Sequence, residues 1–217
     1  SEQLAVVAVG GYGRGEMAPF SDVDLLFLFP YKQSPWIEQV VEFTLYMLWD
    51  LGLKVGHSAR SLDESMRQAR ADTTITTALL EARFITGDDN LFRALRARFQ
   101  REIVVGHAAT FVEAKLAESD QRHNRLGDSR YVVEPNIKDG KGGLRDLHTL
   151  LWIAKFAYQA DDVATLVERG VLDIAEARRF TKAQNHLWAV RCHLHYLVGR
   201  ADERLIFDLQ IEIASRM

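Results

Sequence analysis

Cysteine is almost missing from this chain. Cys192 is the only one among 217 residues. One thiol excludes an intramolecular disulfide and fits a reducing compartment, so a cytoplasmic location is expected. No apolar run approaches the roughly 20 residues of a membrane-spanning helix, and no signal peptide is expected. A basic surplus is missing too: 27 Lys and Arg stand against 30 Asp and Glu, a net charge of −3. That balance argues against broad nucleic-acid binding while leaving room for a local basic pocket. The common nucleotide motifs are also absent. Glycines 10, 11, 13 and 15 do not form the dinucleotide fingerprint, and the Gly140-Lys141 pair runs into Gly142 rather than Ser or Thr. The sequence lacks an initiating Met and closes at Ser215-Arg216-Met217. It reads as a fragment of a longer, multidomain protein.

What is present supports a real core, with 47% hydrophobic and 26% charged residues. Residues 4–9 and 22–29 predict two strands buried on both faces. A helix is expected beyond Pro35, with Ile37, Val40, Val41, Thr44, Leu48 and Leu51 on one face and Gly52 as its stop. Residues 53–59 predict a third strand. From Ser61 the pattern is helical almost to the end, opened by a capping box of Ser61 and Glu64. Residues 73–84 and 108–126 predict helices, with a break at Gly87-Asp88-Asp89. A turn-rich stretch, residues 127–143, precedes a helix from Leu144 with Leu147, Leu150, Leu151 and Ala154 aligned. A last long helical region starts over 173–179 and aligns Ala183, Leu187, Val190, Leu194 and Leu197. The expected organisation is a small α/β unit over 1–105 and a helical unit over 106–217.

The chemistry concentrates in residues 5–29. An apolar run ends in Gly10-Gly11; Arg14 and Ser21 follow; then Asp22 and Asp24 flank Val23. Carboxylates two apart on a strand share a face. Glycines let a backbone approach phosphate closely, Ser21 offers a hydroxyl, and Arg14 can neutralise charge. Asp22 and Asp24 are hard oxygen ligands suited to Mg²⁺. Two metals about 4 Å apart would activate a hydroxyl and stabilise a leaving pyrophosphate. The bland alternative is a tight turn with two solvent-facing aspartates. A second segment, residues 131–148 (YVVEPNIKDGKGGLRDLH), places Lys138, Lys141 and Arg145 around Gly140, Gly142 and Gly143 at a helix start. Such a start is a ready anion site; a charged surface loop with a Gly hinge is the alternative.

Residues 10–16 (GGYGRGE) followed by Ser21-Asp22-Val23-Asp24 resemble the polymerase-β-type nucleotidyltransferases. They most resemble the version in the bacterial PII-uridylyltransferase family. The segment E-P-N-I-K-D-G-x-G-G-L-R-D, VGHSAR at 55–60 and LLEARFITGD at 79–88 are similar to the same family, so the resemblance spans nearly the whole chain. It implies an α+β fold: a small polymerase-β-like mixed sheet with flanking helices, then a helical domain that closes over the nucleotide. It implies transfer of UMP from UTP to a tyrosine of a PII-type signalling protein, with Mg²⁺ on Asp22 and Asp24. Gly10, Gly11, Arg14 and Ser21 would bind the triphosphate, joined by Lys138, Lys141, Gly142, Gly143 and Arg145. Neither membrane nor nucleic acid is an expected partner. No adjacent His-Asp pair occurs, so the hydrolase domain of that family is expected outside this sequence. Another nucleotide or acceptor, and a non-catalytic nucleotide-binding module, remain the competing readings.

One departure from the wider superfamily concerns a third carboxylate, often on a later strand. Residues 53–60 have none; Glu64, Asp72, Glu134, Asp139 and Asp146 are the candidates. His57 is either a phosphate or acceptor contact or a structural histidine. By the resemblance Arg83 reaches the phosphates, with an ion pair to Glu81 or Asp88 as the alternative. Cys192, His193 and His195 do not share a helix face, which argues against zinc. Tryptophans 36, 49, 152 and 188 are expected in the core, and residues 113–125 on a solvated helix face.

Overall fold

A computed structural model describes residues 2–127, 129, 131–160 and 162–217. Asp128 and Arg130, part of the turn-rich stretch, lie outside the described residues, as do Ser1 and Asp161. The chain divides into two units. One comprises Ser1–Met17 and Ser21–His107, the other Ala18–Phe20 and Ala108–Met217.

The first unit is built on a four-stranded mixed sheet in the order β3-β2-β1-β4, flanked by helices. Strand β1 (Ala5–Ala8) leads into a five-residue helix, α1 (Gly10–Arg14), where the sequence suggested only a turn. Strand β2 (Val23–Phe29) returns antiparallel to β1, pairing Ala5 with Leu28 and Ala8 with Leu25. Helix α2 (Pro35–Asp50) starts at Ser34, whose hydroxyl accepts from the Ile37 amide, and ends just before Gly52 with φ +77. Strand β3 (Val55–Ser61), two residues later than expected, lies parallel to β2 and pairs Asp24 with Gly56.

Alternate residues of β2 supply two apolar faces. Leu25, Phe27 and Phe29 pack with Leu4 and with Ile37, Val41 and Leu45 of α2. Leu26 and Leu28, on the other face, are equally buried. Truncating Phe27, fully buried here, costs about 3–5 kcal/mol by the usual scale for core aromatics.

Helix α3 (Leu62–Ala71) is capped by Ser61, whose hydroxyl accepts from the Glu64 amide. Helix α4 (Thr73–Leu80) ends earlier than expected. Residues 83–87, which the helical reading did not separate, form strand β4 (Arg83–Gly87), antiparallel to β1. The strand was illegible because it sits at the sheet edge and is largely exposed, so no apolar alternation marks it. Helix α5 (Asp89–Phe99) is capped by Asp88 and runs into a π-helical turn, Gln100–Val104.

The second unit holds α6 (Ala108–Arg125), α7 (Leu144–Tyr158), α8 (Val163–Glu168), α9 (Ile174–Val198) and α10 (Phe207–Arg216). A full capping box of Asp173 and Glu176 opens α9. Ile137, Val190, Leu194 and Ile213 form one core cluster. Rings of Phe111 and Phe156 stack 4.0 Å apart, joining α6 to α7. Three expectations fail here and in the first unit. Lys115 and Arg122 of the charge-rich α6 are buried rather than solvated. On α7 the buried residues are Leu144, His148, Thr149, Trp152, Ala154 and Phe156, so of the expected stripe Ala154 is buried while Leu150 is exposed. Of the tryptophans only Trp152 is buried; Trp36 and Trp49 are exposed on α2.

The π-helical turn carries an ion-pair cluster. Glu102 accepts from Arg98 (2.9 Å), Arg101 (3.0 Å) and Arg70 (2.6 Å), and Arg98 also reaches Asp63 (2.6 Å). Hydrogen bonds, first from Arg98, lower the Glu102 carboxyl from 4.5 to about 2. A depressed carboxyl contributes stability that is full above its unfolded value and is lost as pH falls through the folded one. The Tm advantage of wild type over Glu102→Gln should therefore shrink as the pH drops from 4.5 to about 2. A gap in Tm that stays constant across that window removes the ion-pair account.

Candidate functional site

The acidic pair stands where β2 opens. Asp22 is exposed just ahead of the strand, and Asp24 is its second residue, half-buried. The backbone here is held from both neighbours: the Val23 amide donates to the Lys54 carbonyl (2.7 Å) and the Val9 amide to the Asp24 carbonyl (3.0 Å). Two glycines seat the Asp24 side chain. Parallel register sets Gly56 beside it, and a Cβ there would collide with Asp24 Oδ1. Gly10, at φ +57, lies on the other side, where a Cβ would come within 3.1 Å of Oδ2. The carboxylate thus lies between two positions that lack side chains: a Cβ at 56 would make it shift, and one at 10 would press on it.

Other residues of this region brace α1. Arg83 donates to the carbonyls of Gly13 (3.2 Å) and Tyr12 (2.9 Å), and its guanidinium lies 5.2 Å from the centre of the Tyr12 ring. A cation at the C-terminal end of a helix is electrostatically favourable. Neither expected ion pair of Arg83, with Glu81 or Asp88, is what the strand geometry produces. Arg14, expected at phosphate, lies with Nε 3.1 Å from Glu16 and 3.6 Å from the buried Glu81. His57 pairs with Leu25 rather than with Asp24, so it shares the opposite face of the sheet.

The basic segment belongs to the second unit. Asn136 Oδ1 accepts from the amides of Lys138 (3.1 Å) and Asp139 (2.7 Å), folding the loop. The amides of Leu144 and Arg145, at the start of α7, donate to the carbonyls of Ile137 and Lys138, and the Gly142 amide donates to Asp146 Oδ2 (2.7 Å). Asp146 in turn receives Arg122, with His123 Nε2 2.9 Å away. The glycine-rich helix start is therefore already bonded by its own chain. Arg145 reaches Asp139 at 3.2 Å, and Lys138 Nζ lies 3.8 Å from Glu203. Burial, followed by the nearby Arg191 charge, pushes the Lys138 ammonium below its ordinary value. Lys141 is exposed.

The five candidates for a third carboxylate have other duties. Glu64 holds Gln68 (2.7 Å), Asp72 caps α4, Glu134 holds Arg204 (2.9 Å), Asp139 holds Arg145 and Asp146 holds Arg122. Among the described residues no group of three or more His, Cys, Asp or Glu gathers as a metal site. Two adjacent hard carboxylates, one seated by glycines, still fit a divalent cation that draws its remaining oxygens from water or phosphate. Gly56 is the site residue that sequence reasoning passed over; its signal was a glycine inside a predicted strand, which marks a close approach.

Residues 1–68 match a family described as a nucleotidyltransferase domain, a class that generally works with a divalent metal and a nucleoside triphosphate. Residues 110–217 match a second family, GlnD PII-uridylyltransferase. Curated relatives extend the likeness over the entire chain. A bifunctional uridylyltransferase/uridylyl-removing enzyme of Azospirillum brasilense is 62% identical over 216 residues. Enzymes of the same description from Bradyrhizobium diazoefficiens and Rhodopseudomonas palustris are 63% and 61% identical over 217 residues. The chain belongs to this PII-uridylyltransferase family and spans 23% of the length of those relatives.

The slot around Asp24 makes a specific demand. Gly56→Ala should leave the Tm near that of wild type and rotate the Asp24 carboxylate. Metal-dependent turnover should fall roughly a hundredfold, the usual consequence of an ångström-scale misplacement. Full turnover in Gly56→Ala would show that the slot does not set the Asp24 geometry.

Proposed function

We propose that this chain performs Mg²⁺-dependent transfer of UMP from UTP to a tyrosine hydroxyl of a PII-type regulatory protein, releasing pyrophosphate. The observation that carries the reading is the acidic pair opening β2, with Asp24 seated between Gly10 and Gly56. Its setting is a chain more than 60% identical, end to end, to enzymes described as uridylyltransferases. The tyrosine oxygen bonds to the α-phosphorus as the bond to the pyrophosphate oxygen breaks. Asp22 and Asp24 would hold the cation, which would neutralise triphosphate charge and acidify the attacking hydroxyl. Gly10 and Gly11 present backbone to the phosphates, and Ser21 adds its hydroxyl. Arg14 fits better as the counter-ion of Glu16 and Glu81, steadying α1.

Of the second unit's basic residues expected at phosphate, Arg145 reaches Asp139 and Lys138 lies near Glu203, Gly142 and Gly143 shape the loop that carries them, and the exposed Lys141 is assigned to phosphate on the family likeness alone. Lys141 is the sharpest test of that assignment. Lys141→Ala should raise the KM for UTP severalfold with little change in kcat, the pattern of a contact made equally in ground and transition states. An unchanged KM removes Lys141 from the nucleotide site.

The reaction itself is tested by label transfer from α-labelled UTP to a purified PII-type protein, with ATP, CTP and GTP in parallel. Transfer from UTP that Asp22→Asn abolishes, with an unchanged Tm, is the expected result. Near-normal transfer by Asp22→Asn sinks the metal assignment. Preferred transfer from another nucleotide sinks the choice of UTP.

A further inference from the structure

Glu81 is a carboxylate that the proposed mechanism does not use, and its side chain is only 1% exposed. It stands in the first unit at the junction of α4 and β4, where its amide donates to the Thr77 carbonyl (3.3 Å) and closes α4. Two residues on, Arg83 of β4 pairs with Ala8 of β1. A helix end and a paired strand therefore fix its backbone. An ionised acid withdrawn from water needs a positive partner. The Arg14 guanidinium supplies one, with Nε 3.6 Å from Glu81 Oε2.

Arg14 is the last residue of α1, and α1 meets Glu81 twice. A Cβ on Gly13 would lie 2.2 Å from the Glu81 carbonyl oxygen, so helix and residue 81 touch backbone to backbone. The Arg14 side chain then turns back along its own helix. Its Nε donates to Glu16 Oε2 (3.1 Å), and its Nη2 comes within 3.8 Å of where a Gly11 Cβ would stand. Glu16 is tied to the same glycine, its amide donating to the Gly11 carbonyl (3.0 Å). One residue earlier is Gly10, whose own Cβ would press on Asp24 Oδ2 at 3.1 Å. At ~1.5 Å per residue, the five residues of α1 span roughly 7 Å. A displacement at its Arg14 end is carried to its Gly10 end.

We infer that Glu81 is a positioning residue for the glycine turn: its carboxylate holds the Arg14 guanidinium beside Glu16 and Gly11, and through α1 this sets where Gly10 meets the Asp24 carboxylate. This role rests on the assignment of Asp24 as a metal ligand. Without the charge at 81, the guanidinium leaves its place beside Gly11 and α1 shifts against Asp24.

The test uses Mn²⁺ affinity, read by electron paramagnetic resonance with UTP present, and amide exchange over residues 9–16, both well below the Tm of each variant. Glu81→Gln keeps the shape and removes the charge. It should weaken Mn²⁺ binding about tenfold or more, the usual scale for a lost supporting contact, and speed exchange in α1. Arg14→Met should do the same. The double variant, Glu81→Gln with Arg14→Met, leaves neither charge of the pair uncompensated, so it should fold even where a single variant does not. Its loss should match that of either single variant, because residues that act through one another do not add. Wild-type affinity in Glu81→Gln or in the double variant, with Asp24→Asn impaired, overturns the positioning role alone and leaves the Arg83 contacts as the brace of α1. Losses that add in the double variant cut the route through Arg14 and reduce Glu81 to a packing residue. Equal Mn²⁺ binding by wild type and Asp24→Asn overturns the metal assignment, and the positioning role with it.

Discussion

The parallel pairing of β2 with β3 is the constraint on which the candidate site depends. It fixes which residue of β3 stands beside Asp24, and that residue is Gly56. One step of slip would bring a neighbouring side chain into the space the carboxylate now fills, since successive residues of a strand alternate faces. The register is itself held by apolar burial. Leu25, Phe27 and Phe29 lock onto α2, and Leu26 and Leu28 are buried on the opposite face, so slippage in either direction would strand both sets. The core therefore sets the geometry of the acidic pair at one remove.

Ionic hubs rather than apolar contacts organise the polar parts of the second unit. Glu203 gathers Arg191, Lys138 and His195; Asp146 gathers Arg122, His123 and the Gly142 amide. Two of these partners, Arg122 and Arg191, are themselves buried, as is His195. Removing one member of such a cluster leaves an uncompensated charge away from water, which costs more than the pair contributed. Clusters of this kind specify one loop conformation. The segment from Asn136 to Arg145 is bent by its own Asn136 side chain, bonded along its backbone and tied to both hubs.

Much of this was legible from residues alone. The two strands around the glycines, the α2 stripe, the Ser61 cap and the Gly52 stop all announce themselves through periodicity or capping chemistry. The acidic pair and the basic segment were visible as patterns of residue type. What was hidden depends on partners distant in sequence. Strand β4 lies at an edge with little burial, so its pattern carries no period. Lys115, Arg122, Arg191 and His195 look like solvated helix residues until their partners are known, because charge pairing over long separations leaves no local signature. Phe20, left-handed at φ 63, was equally invisible: Gly or Asn would have signalled such a turn, and phenylalanine does not.

The missing third carboxylate has a steric explanation in the sheet. Residues of β3 that share the face of Asp24 are Gly56, Ser58 and Arg60. An acid at 56 would displace the Asp24 carboxylate, because even its Cβ would strike Oδ1. An acid at 58 would stand opposite Leu26, one of the most buried residues of the chain, and would lose hydration there. Seating Asp24 in its slot and placing a third acid on β3 are thus competing solutions, and this sequence takes the first. Asp22 and Asp24 repel each other unless a cation lies between them, and the Arg14 guanidinium already answers Glu16 and Glu81. Under the proposed function the acidic pair is the seat for a divalent ion, and a third acid, if the reaction uses one, comes from outside β3.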